Sequence, residues 1–209
     1  MADVASERPA LVRRGLFLNY LTIGYNAFEA VVSLAAGLVA GSVALVGFGI
    51  DSVIELTASG AAQWRLRMDH QEGRRLHADR RTRQIIGTCF LALALYVGVD
   101  ATTSLWAREA PGRSIVGLII LTLSLIVMPW LAHQKRAVAR GLSSRALQAD
   151  AAQTTLCAYL SAIALAGVGL NALLGWWWAD PVAALAMTPI ILREGIAGLR
   201  GQKACEDCA

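Results

Sequence analysis

Histidine is scarce in this chain. Only three occur among 209 residues, with His70 and His77 in an arginine-rich segment and His133 at the edge of an apolar run. No Ser, His and acid set and no HExxH sequence falls inside such a run, which argues against an enzyme built on either constellation. The four cysteines give no disulfide framework: Cys89 and Cys157 lie within apolar runs, and only Cys205 and Cys208 are close in sequence. Low-complexity segments are absent. Lysine and arginine are missing from the depths of the apolar runs, so carboxylates found there have no fixed cation of their own.

Apolar residues make up 56% of the chain, bunched into long runs without amphipathic spacing. That is the composition of a polytopic membrane protein. A bilayer core of roughly 30 Å takes about 20 apolar residues per helix. Six runs meet that length, at Leu16–Leu38, Gly41–Gln63, Gln84–Trp106, Ser114–His133, Ala146–Leu170 and Trp178–Leu199. An all-α membrane protein with six transmembrane helices is expected, its membrane domain spanning residues 15–200 between a segment at 1–14 and a tail at 201–209. No sizeable soluble domain remains, and neither does a nucleic-acid partner.

Seventeen of the 19 Lys and Arg residues fall at the chain ends or between spans two and three or four and five, and only Arg108 and Arg113 fall on the other side. The positive-inside rule then places both termini in the cytoplasm. Trp64, Trp106 and Trp130 near span ends, and Trp176, Trp177 and Trp178 between spans five and six, read as interface anchors. Arg13-Arg14 before Gly15-Leu16-Phe17-Leu18 faintly resembles a twin-arginine leader. The stretch that follows is long, holds Asn19, Asn26 and Glu29, and shows no clear cleavage site, so it reads as a span. The segment Arg65–Arg83, with His70, His77, Asp69, Glu72 and Asp79, reads as a solvated, headgroup-facing loop in preference to a metal-collecting one.

The polar residues inside the runs carry the chemistry. Asp51 and Glu55 sit one helical turn apart in the second run, and carboxylates are costly in hydrocarbon. Each needs a proton, a cation or a hydrogen-bonding partner. A rise of about 1.5 Å per residue puts Asp51 roughly 15 Å below the outer end of span two and Glu55 about 6 Å deeper. Span five runs the other way, which brings Gln153 and Cys157 to matching depths. Both pairs are spaced i, i+4 and face one side of their helices. Asp51, Glu55, Gln153 and Cys157 can thus supply two carboxylates, an amide and a thiolate to a four-coordinate ion such as Zn²⁺. The competing reading makes Gln153 an interhelical hydrogen bonder and Cys157 a small buried hydrophobe.

Glu29 and Asp100 count nearer the outer side, as vestibule or proton-relay groups or as protonated structural ones. Asp150, at the inner mouth of span five, attracts cations or serves as a helix-start carboxylate. Cys205 and Cys208 in the tail could share one ion, although a lone CxxC at a frayed terminus is more often without function.

Gly41-Ser42-Val43-Ala44-Leu45 leading to Asp51-Ser52-Val53-Ile54-Glu55 resembles the second transmembrane helix of the cation diffusion facilitators. Ala149-Asp150-Ala151-Ala152-Gln153 to Cys157, then Trp178-Ala179-Asp180-Pro181-Val182-Ala183-Ala184-Leu185, resembles their fifth and sixth helices. The resemblance implies a homodimeric secondary transporter in a prokaryotic plasma membrane, exporting Zn²⁺, or Cd²⁺ or Co²⁺, in exchange for protons. It also implies a site with an acidic or His residue and an acid at i and i+4 on helix two, where Asp51 and Glu55 stand, opposite His and Asp at i and i+4 on helix five. Gln153 and Cys157 depart from that second pair. Losing the His removes the side chain best suited to titrate near neutral pH, and gaining Cys favours softer ions. The family commonly carries a soluble domain after helix six, where this chain has residues 201–209. A non-transporting membrane metal sensor or accessory subunit is therefore the alternative expectation.

Overall fold

The computed structural model describes residues 2–67, 72–142 and 145–200. Cys205 and Cys208 lie outside the described residues, as does His70. Six helices follow one another: α1 (Ala2–Ala40), α2 (Val43–Arg67), α3 (Glu72–Ala107), α4 (Ile115–Gly141), α5 (Arg145–Leu174) and α6 (Ala179–Arg200). Each contains a stretch long and apolar enough to cross a membrane, and each expected span coincides with one of these helices, those of α2, α4 and α6 beginning one or two residues ahead of the helix itself. The helices overrun the apolar runs. Helix α4 continues through Gly141 and α5 through Leu174, because a hydropathy run marks the thickness of hydrocarbon and not the end of the backbone hydrogen-bond ladder.

The short α1–α2 turn shows how local sequence sets the fold. Gly41 adopts a positive φ of 64°, and the amide of Ser42 donates to the carbonyl of Gly37 at 3.0 Å. This is the glycine-terminated helix end known as a Schellman motif. Ser42 then caps α2, its hydroxyl accepting from the Leu45 amide at 3.2 Å. Asp180, in the first turn of α6 ahead of Pro181, accepts from the Ser42 hydroxyl at 2.6 Å and from the Val43 amide at 3.0 Å. One buried carboxylate therefore ties the starts of α2 and α6 together. Asp180→Ala removes both bonds and leaves the Val43 amide unpaired. A loss of about 2 kcal/mol follows, readable as a lowered thermal unfolding midpoint of the detergent-solubilised protein. An unchanged midpoint would show that the cap contributes nothing.

Packing is strongest between α3 and α6, α1 and α2, and α4 and α5. Contacts of α1 with α4 and of α2 with α5 close α1, α2, α5 and α4 into a ring. Helices α3 and α6 form a pair beside that ring, reaching it through α2 and α5. Small residues let this pair approach backbone to backbone: a Cβ on Gly87 would come within 2.8 Å of the Gly195 carbonyl oxygen.

The molecule is apolar outside and polar within. Val39, Leu173 and Leu38 project outward at 91%, 82% and 72% exposure, while Glu29, Glu55, Ser59 and Lys135 are wholly buried. Large exposed aliphatic groups would promote aggregation in water, whereas in lipid they face their own solvent. The protein is an integral membrane protein.

Candidate functional site

Polar side chains line the inside of the four-helix ring in a column. Helix α1 contributes Asn19, Thr22, Asn26, Glu29 and Ser33, all buried and spaced by three or four residues, so they share one face. Helix α2 contributes Asp51, Ser52, Glu55, Ser59 and Gln63, and α5 contributes Asp150, Thr154, Cys157 and Ser161. Ser124 and Lys135 complete it from α4. Above the column, toward the end that holds the α1–α2 turn, the ring is filled by Leu45, Phe48, Leu121 and Ala164.

Asp51 and Glu55 occupy the middle of the column. Across from them, Cys157 lies against Asp51 and Glu55, and its thiol donates to Glu29 Oε2 at 3.8 Å. The Ser52 hydroxyl donates to the same Glu29 oxygen at 2.8 Å. Three carboxyl groups and one thiol from α1, α2 and α5 therefore meet at one level. Among the described residues, Asp51 Oδ1, Glu29 Oε1 and both oxygens of Glu55 make no hydrogen bond of good geometry, although Thr154 and Cys157 lie close to the Glu55 carboxyl. Buried polar atoms are usually satisfied, and a carboxylate oxygen left over in a dry interior is costly. Such oxygens suit a ligand that brings positive charge. Among the described residues, no three His, Cys, Asp or Glu side chains are already drawn into a metal cage. The acids are close enough to interact but not closed around an ion.

Glu29 is placed differently from expectation. The outer-side position is corrected: Glu29 stands at the level of Asp51 and Glu55 and bonds to Ser52 of α2. Helix α1 runs on to Ala40, which lengthens the count from its end and drops Glu29 into the centre. Gln153 also differs from its expected partnership with Glu55. It is half-buried and makes no side-chain hydrogen bond among the described residues, while Thr154, one residue around the helix, lies beside Glu55. Each residue turns an α-helix by about 100°, so depth counting alone cannot separate neighbours. Asp100 is not on the column. It sits half-buried on α3, outside the ring, next to Tyr96.

Asp150 lies at the end of the column where α1 begins and α6 finishes, as its position at the mouth of span five suggests. It accepts from the Ser59 hydroxyl at 2.8 Å, and its other oxygen pairs with Lys135 Nζ at 2.7 Å. This overturns the expectation that no fixed cation lies deep among the spans. Lys135 is wholly buried, on the stripe Ser124, Met128, Leu131 and Ala132 that α4 turns inward. Its spacing from those residues was the available signal, since the charge itself ends an apolar run but not a helix face. A second group outside the expectation is Glu194 of α6, half-buried and within electrostatic reach of Asp51.

A family model, the cation efflux transmembrane domain, matches residues 83–200, more than half of the chain. The chain belongs to the cation efflux family. A comparison with curated proteins finds no match. Membership identifies a cation transporter, consistent with acids and no matching set of bases in the polar column. The matched segment takes in the α3–α6 pair, α4 and the α5 face with Cys157, whereas Glu29, Asp51 and Glu55 lie before it, on α1 and α2.

Proposed function

We propose that this cation efflux family member is a secondary transporter that exports a divalent metal cation, Zn²⁺ first and Cd²⁺ or Co²⁺ next, in exchange for protons. The cargo is held by Asp51, Glu55 and Cys157, with Glu29 as the fourth group. One observation carries this reading: the buried carboxyl groups of Glu29, Asp51 and Glu55, each with an oxygen that has no hydrogen-bond partner among the described residues, all lie beside the Cys157 thiol. Carboxylate oxygen and thiolate together suit Zn²⁺ and its softer relatives better than Mg²⁺ or Ca²⁺. Protons serve as the counter-ions, since three carboxyl groups and a thiol emptied of a divalent ion must take up positive charge to remain in a dry core. Alternation between the two ends of the ring would open the site first on one face of the membrane and then on the other. The chain works as a homodimer in the plasma membrane of a prokaryote, with both termini in the cytoplasm.

The test is uptake of Zn²⁺, Cd²⁺, Co²⁺ and Mg²⁺ into proteoliposomes under an imposed pH gradient. Zn²⁺ and Cd²⁺ uptake that collapses with the gradient is expected, together with little Mg²⁺ uptake. In the same assay Glu29→Gln raises the half-saturating Zn²⁺ concentration by about 10- to 100-fold, the range found when a group supporting a metal site is lost. A half-saturation equal to wild type would remove Glu29 from the site. Metal binding without any flux would favour a membrane sensor or accessory subunit instead.

A further inference from the structure

At one level of the ring, polar side chains join all four helices. The Asn19 amide of α1 donates to the Ser59 carbonyl of α2 at 3.2 Å. The Ser59 hydroxyl donates to Asp150 of α5 at 2.8 Å. Lys135 of α4 pairs with Asp150 at 2.7 Å and donates to Thr154 at 3.1 Å. This belt lies one helical turn from Glu55, between it and the end of the column where Gln63 is buried. A cation moving between Glu55 and that end has to pass through it. Lys135 is also within electrostatic reach of Glu55 itself, so the belt presents a positive charge on the path of a positive cargo.

We infer that Lys135 is the positioning residue of a gate, a tethered cation that holds Asp150 and seals the terminal end of the pathway until a divalent ion displaces it. The inference rests on the transporter reading for its physiological meaning, while the seal itself follows from the belt. Asp150 has one strong cationic partner at a time. With Lys135 bound, the four helices are cross-linked and the acids above are closed off; with Lys135 displaced, Asp150 becomes the first carboxylate an entering ion meets. A monovalent ion carries no more charge than the ammonium it would have to replace, whereas a divalent ion carries twice as much. The gate therefore also discriminates by charge.

Cys157, buried just above the belt, reports on the seal. In a Cys89→Ser, Cys205→Ser, Cys208→Ser background it is the single thiol. A membrane-impermeant methanethiosulfonate reagent is added to vesicles of either orientation, so that it reaches one face at a time. In the parent, modification of Cys157 is slow from both faces. In Lys135→Met, Asp150→Asn, which removes both charges and leaves no unpaired ion, modification from the terminal face is expected to be about tenfold faster, following the larger open population. Lys135→Arg keeps the charge and should stay near the parent rate. A rate within twofold of the parent in the double variant overturns the gate, and so does equal acceleration from both faces, which is general loosening. The labelling needs no transported ion: acceleration from the terminal face alone in a protein showing no flux upholds the gate while the transporter reading fails, and unchanged labelling in a protein that transports Zn²⁺ does the reverse.

Discussion

Asp51→Ala combined with Glu55→Ala is expected to abolish divalent-cation uptake, leaving the signal of protein-free liposomes. The two side chains come from one helix, a turn apart, and both face Cys157 in the ring. Three of their four oxygens have no hydrogen-bond partner among the described residues, so removing them breaks few internal bonds. Binding suffers far more. Losing two of three carboxylates around a divalent ion in a dry interior costs at least about 4 kcal/mol, roughly a thousandfold in affinity. The fold should survive, since two buried groups that are expensive to hold have been replaced by small apolar ones. Two measurements are made together: uptake in proteoliposomes, and the thermal midpoint in detergent. Uptake at the wild-type rate in a folded double variant would move the cargo site elsewhere.

Asp51 and Glu55 were legible because their spacing and depth are both one-dimensional facts. The same holds for the six spans, where the length of each apolar run is the whole signal. Other features depend on angle around a helix or on where a helix ends. Thr154 and Gln153 differ in depth by a single residue, yet only Thr154 turns toward Lys135. Glu29 needed the true end of α1 at Ala40 to be set at the right level. Asp100 looked equivalent to Glu29 by depth, but α3 packs outside the ring, and no count along one chain segment reveals which helices enclose a common interior. Lys135 was hidden for a related reason. Its charge places it in a basic cluster with Arg136 and Arg140, a pattern that reads as a membrane-flanking loop, while its helical phase places it inside.

That phase gives Lys135 its expected effect on stability. Lys135→Ala should destabilise the folded protein by about 3–5 kcal/mol, the usual outcome when one partner of a buried ion pair is removed. Asp150 would keep the Ser59 hydrogen bond at 2.8 Å but lose its only cation, and no other Lys or Arg among the described residues is buried nearby to replace it. Thr154 would lose its bond from the ammonium as well. Lys135→Met with Asp150→Leu behaves differently, because it removes both charges together and fills their volume with apolar groups. The Ser59 hydroxyl, deprived of its acceptor, can turn back to the carbonyl of Glu55 four residues earlier. Its stability should fall within about 1 kcal/mol of wild type or exceed it. The thermal midpoints of the two variants in one detergent decide the matter. A Lys135→Ala midpoint equal to wild type would mean that water already reaches Asp150, which a sealed polar belt does not allow. A double variant as stable as wild type would show that the pair is retained for something other than holding the fold together, and its place on the path to Glu55 supplies that purpose.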